Sequence, residues 1–106
     1  MMKFEAYEVA LQLIRSLRGT IAAIARHDKD LASQLKRALA SIALNLPEGL
    51  AREGGDRLHL WRCARGSVKE SGGCLDVAEA LGYVEVPAES LELLDRLRAM
   101  CWRLTH

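Results

Sequence analysis

Aromatic residues make up only 5% of this 106-residue chain, and proline occurs just twice. Half of the residues are hydrophobic, with Leu and Ala dominant. That composition leaves little strand signal and predicts an all-α protein. No apolar run approaches the roughly 18 residues that a membrane span requires. The opening MMKFEAYE is interrupted by charge too often for a signal peptide. No expected helix pairs a lysine-rich face with an aromatic-rich one, so a membrane-surface role is not expected either. A cytoplasmic location is the expectation.

Cysteine and histidine are scarce in ways that bear on chemistry. Cys63, Cys74 and Cys101 are odd in number, lack C-x-x-C spacing and sit inside helical patterns, which suits buried reduced thiols. A di-iron bundle needs Glu-x-x-His on two helices, and the nearest spacing here is Asp56 with His59. His59 and Cys63 lie one turn apart, but two ligands do not make a zinc site. Nucleophilic catalysis requires a Ser or Cys beside a base that a third group orients, and His27, His59 and His106 fall near helix ends. No catalytic residue, metal or cofactor is therefore expected, and the protein is read as a non-enzyme. Linkers and low-complexity tracts are also missing, so residues 1–106 read as a single domain. A domain of that size buries roughly 60 to 70% of the surface of its unfolded chain.

What the sequence does contain is apolar residues at alternating spacings of three and four. Four helices are predicted, over about 4–26, 31–50, 57–81 and 88–105. The first carries Tyr7, Ala10, Ile14, Leu17, Ile21 and Ile24 on its seam. Asp30 is a candidate N-cap for the second, and Pro47 is expected to kink it before a last turn to Gly49 or Leu50. The third begins after a possible cap at Asp56 and keeps its apolar phase through Gly66, Gly72 and Gly73, which predicts a continuous helix. Gly82 suits an αL cap with Tyr83 and Val84 folding back, and Pro87 suits the first turn of the fourth helix. Short turns between them give an antiparallel up-down-up-down bundle.

The second helix is unusual because Ala38 to Pro47 carries no charge. Leu31, Leu35, Leu39, Ile42 and Leu46 make its apolar stripe, and Ser41, Asn45 and Glu48 lie on a polar seam beside it. Its third side, where water is expected, reads Lys36, Ala40, Ala43, Leu44, Pro47 and Ala51. That side predicts burial against other subunits. The polar seam needs partners, since an unpaired buried polar group costs about 1 to 3 kcal/mol. Ser67, Glu70 and Ser71 on the third helix are the candidates. A register-fixing network and a polar pocket both remain open.

The formal charge of +1 conceals an asymmetry: residues 1–33 carry +1, residues 34–69 carry +4 and residues 70–106 carry −4. Arg57, Arg62, Arg65 and Lys69 form a basic run on the third helix, with Arg52 just before it. This is a candidate phosphate-binding surface, although two oppositely charged solvated faces explain the same balance. Of the aromatic residues only Trp61 lies near it in sequence, which argues against sequence-specific reading of single strands.

Gln34-Leu35-Lys36-Arg37-Ala38, Ser41-Ile42, Asn45-Leu46-Pro47-Glu48-Gly49 and Arg52, followed by Ala64-Arg65-Gly66-Ser67, Glu70 and Ala80-Leu81-Gly82-Tyr83, resemble the bacterial four-helix-bundle family encoded in 23S rRNA intervening sequences. The likeness spans nearly the whole chain and departs from the family pattern at Pro47 and Gly72-Gly73. By fold it extends to the accessory variability protein of diversity-generating retroelements, which works with a reverse transcriptase and its RNA. The resemblance implies a bundle assembling into a ring, a homopentamer. Joined to the charge asymmetry, it makes structured RNA the expected ligand, bound through Arg37, Arg52, Arg57, Arg62 and Arg65. The alternative is a protein–protein scaffold or accessory subunit that touches no nucleic acid.

Overall fold

A computed structural model describes residues 3–106, in which the apolar spacing resolves into five helices. These are α1 (Glu5–Ser16), α2 (Arg18–His27), α3 (Lys29–Leu50), α4 (Gly54–Ala80) and α5 (Ala88–Thr105). No strand occurs among the described residues, so the chain is all-α.

The count of five rather than four comes from a break at Leu17 in the helix expected over 4–26. Leu17 has φ −98° and ψ 1°, outside the α-helical well. Its N–H is shared between the carbonyls of Leu13 and Ile14, each 3.1 Å away. The cause lies next door. Ser16 Oγ donates to the Leu13 carbonyl at 2.8 Å and lies 2.8 Å from Ser90 Oγ on α5. A hydroxyl that bonds back to its own helix competes with the backbone ladder and bends it. Beyond the break, α2 packs on α3, whereas α1 packs on both α3 and α5.

The helix ends also differ in detail from expectation. Asp28, not Asp30, caps α3, accepting the Leu31 N–H at 2.9 Å; Asp30 falls in the first turn, where a negative charge suits the positive end of the helix. Glu53 precedes α4 with no side-chain cap, and Asp56 lies inside its first turn. Pro87 occupies the N-cap position of α5. The end of α4 is a Schellman motif, with Tyr83 N–H on the Ala78 carbonyl and Gly82 N–H on the Glu79 carbonyl, both 2.9 Å. Gly82 has φ +76°, a conformation that costs other residues a Cβ clash. Tyr83 then stacks on His27, 4.8 Å between ring centroids, fastening the end of α2 to the turn.

Helices α3 and α4 form the most extensive pair in the chain. Leu35, Leu39, Ile42 and Leu46 face inward from α3, and Ala64, Val68, Leu75 and Ala78 meet the same core from α4. The third side of α3 is open within this chain: Leu44 is 71% exposed, and Ala40, Pro47 and Ala51 are exposed beside it. Ala43 departs from that grouping, since it is buried in the subunit.

All three cysteines are free. Burial pushes the Cys101 thiol up to about 11 from its ordinary 9.0, with Arg65 opposing slightly. Burial also raises Cys74, helped by the Glu70 carboxylate. The folded chain therefore keeps the Cys101 proton over a range where the unfolded chain releases it. Stability is fully present below pH 9 and declines as the pH climbs toward 11. Urea midpoints measured from pH 8 to 11 should fall less steeply for Cys101→Ala than for the wild type; parallel curves would mean that this thiol contributes nothing to the decline.

Candidate nucleic-acid interface

Between α4 and α5 runs an open groove of about 680 Å³, walled by Arg62, Arg65, Lys69 and Asp76 from α4 and by Arg98 and Trp102 from α5. Its floor follows from glycine. Gly66, Gly72 and Gly73 line the groove on the α4 side, and at Gly66 and Gly73 a Cβ would meet nothing within 4 Å. At Gly72 a Cβ would lie 2.8 Å from an Arg98 guanidinium nitrogen, so the missing side chain is what lets Arg98 approach α4. Four cations thus face one carboxylate within the lining.

The cations differ in how they are held. Arg98 pairs with Asp95 on its own helix at 2.7 Å. Arg65 donates to Thr105 Oγ1 at 3.0 Å, and its guanidinium carbon lies 5.5 Å from the Trp102 ring centroid. Arg62 and Lys69 make no ion pair among the described residues. Their charge faces solvent, where an incoming anion can reach it at little desolvation cost.

The five arginines singled out in the sequence therefore separate. Arg62 and Arg65 line the groove. Arg57 closes the end of α3, its Nε 3.1 Å from the Gly49 carbonyl and its NH2 2.8 Å from the Leu50 carbonyl. A cation on these carbonyls suits a helix C-terminus, and α3 has no basic residue in its own last turn. Arg52 pairs with Glu48 at 2.8 Å. Arg37 is exposed on α3, outside the groove. Arg98 and Trp102 were not singled out from the sequence. Their spacing of four along one helix face was the available signal, but nothing local says which helix that face meets.

The polar seam also divides. Ser67 Oγ donates to Ser41 Oγ at 2.9 Å across α3 and α4, Asn45 Nδ2 donates to the Ser41 carbonyl and hydroxyl at 2.9 and 3.1 Å, and Ser71 Oγ donates to the Ser67 carbonyl at 2.9 Å. Glu48 and Glu70 are exposed and take no part in these bonds. No buried side-chain nitrogen or oxygen among the described residues lacks a partner. The Ser41–Ser67 bond thus ties α3 to α4, while Asn45 and Ser71 bond back within their own helices.

The described residues thus form a helical chain with a cationic groove between two of its helices. The family described as 23S rRNA-intervening sequence protein matches residues 2–105, and the chain belongs to that family. No curated protein matches it.

At the end of α3, Trp61 Nε1 donates to the Leu46 carbonyl at 3.1 Å. A Cβ on Gly49 would fall 2.5 Å from that nitrogen and 2.6 Å from Cδ1. Gly49→Ala, which helix propensity alone would favour by about 1 kcal/mol, should instead destabilise the chain by about 1 to 3 kcal/mol. In a Trp102→Phe background its tryptophan emission should shift to the red. Unchanged melting and emission would show that Trp61 does not press on Gly49.

Proposed function

We propose that the chain is a non-enzymatic, cytoplasmic RNA-binding subunit whose α4–α5 groove receives the phosphodiester backbone. The observation that carries this reading is the cluster of Arg62, Arg65, Lys69 and Arg98 around a single carboxylate, Asp76. Phosphate contacts supply affinity that is largely independent of base sequence and falls with salt. Arg37, Arg52 and Arg57 lie outside the groove and contribute to the general field rather than to contact.

Affinity for structured RNA should fall linearly with the logarithm of salt concentration. Replacing Arg62 and Lys69 together by Gln should reduce that slope by about 1.4 to 1.8. An unchanged slope, or binding no tighter than that of a charge-matched helical control protein, would end the proposal.

A second observation favours self-association. Leu44 at 71% exposure, beside Ala40, Pro47 and Ala51, leaves an uncharged strip on α3 open to water, and such strips mark interfaces. We read the subunit as four antiparallel rods, with α1 and α2 in line, assembling into a homo-oligomeric ring, a pentamer by family resemblance. Repeating the groove around a ring would multiply a modest charge. Light scattering at micromolar concentration should return a multiple of 11.7 kDa, and Leu44→Glu should reduce it to the monomer while leaving the helix content intact. A wild-type mass of one subunit would refute the assembly. If the strip binds a different protein instead, pull-downs with and without nuclease will recover the same partner.

A further inference from the structure

Trp102 is the one aromatic side chain in the wall of the α4–α5 groove. It is 56% exposed, unusual for an indole, which is large and highly buried on average. It also borders an adjoining hollow of about 450 Å³ with Arg65, Asp95, Arg98 and Ala99. The imidazole of His106 stacks on it, 3.4 Å between centroids with planes 19° apart. That imidazole is itself tethered, its Nδ1 3.0 Å from the Trp102 carbonyl oxygen and 3.2 Å from Thr105 Oγ1. His106 borders neither hollow, whereas Trp102 and Arg65 border both. The ring is thus supported by the imidazole, with the Arg65 guanidinium carbon 5.5 Å from its centroid, and more than half of the residue stays exposed.

Two further facts define what fits there. Arg62 and Lys69 make no ion pair among the described residues, and Arg98 reaches across the gap left by Gly72. The groove volume, about 680 Å³, lies within the usual range for small-ligand sites of about 300 to 1,000 Å³. Flat aromatic surfaces beside phosphate-binding cations are how proteins hold unpaired nucleotides.

We infer that the groove takes an unpaired nucleotide of an RNA strand, with the base stacked on the exposed indole of Trp102 and the phosphates held by Arg62, Lys69 and Arg98. This rests on the phosphate-binding reading above and adds a preference to it. A duplex offers the same phosphates but keeps its bases stacked on one another, so it forgoes the indole. His106 acts as a positioning residue that holds the indole in place.

Anisotropy titrations of the full chain with three labelled RNAs test this: an adenine tetranucleotide, the same backbone without bases, and a duplex of matched phosphate number. The base-bearing strand should bind about tenfold more tightly than the abasic one. Trp102→Ala should remove that difference and leave the salt slope unchanged, whereas Trp102→Phe should keep most of it. Single-stranded DNA binding as tightly as RNA would support the same stacking site without discrimination between the sugars. Equal affinity for base-bearing and abasic strands, still dependent on Arg62 and Lys69, would overturn the stacking and leave the phosphate reading standing. Salt-independent or undetectable binding of all three would overturn both. A change in particle mass for Trp102→Ala, measured alongside by light scattering, would assign the indole to a subunit interface instead.

Discussion

The seat of Trp61 on the end of α3 is the contact on which the arrangement of α3 and α4 turns. Pro47 removes a backbone donor within the last turns of α3, and Gly49 removes the side chain that would stand in the indole's way. Trp61 then donates to the Leu46 carbonyl while Arg57 covers the carbonyls of Gly49 and Leu50. Phe4 packs tilted against the indole at 5.9 Å between centroids. With one end of the pair fixed in this way, the Ser41–Ser67 bond falls into register further along, and the apolar stripes of the two helices meet.

That register determines which way α4 presents its charges. With Ala64, Val68, Leu75 and Ala78 committed to the core, Arg62, Arg65 and Lys69 are left on the flank beside α5. The acidic last third of the chain sets only Asp76 against them in the groove lining. Asp95 is engaged with Arg98 on its own helix, and Arg96 of α5 pairs with Glu5 of α1 at 3.5 Å. Surface pairs of this kind are worth little to stability, but they determine which cations remain available to a ligand. The asymmetry of charge along the sequence thus includes a local excess in one groove.

The elements that depend on local pattern were legible in the sequence. The apolar stripe of α3, the continuity of α4 through its glycines, the turn at Gly82 and the extent of α5 all follow from spacing, propensity and one φ requirement. What was not legible depends on partners distant in sequence. The break at Leu17 arises where Ser16 meets Ser90, 74 residues away. Glu48 and Glu70 fall on the seam by periodicity, yet each lies far enough around its helix to reach water. Arg57 looked like one more cation in a basic run, because the carbonyls it covers belong to the preceding helix. Half of the groove was hidden for the same reason, since Arg98 and Trp102 acquire meaning only when α5 is laid against α4.

The glycines of α4 have a consequence for how this protein can change. Helix propensity alone favours alanine at positions 66, 72 and 73 by about 1 kcal/mol each, and at 66 and 73 there is room for it. A selection for heat resistance would therefore drift toward filling the floor of the groove. At Gly72 the added methyl would press on Arg98 and shift a groove cation. Robustness of the helix and openness of its surface pull in opposite directions along these eight residues, so a more durable variant obtained there would be a shallower one.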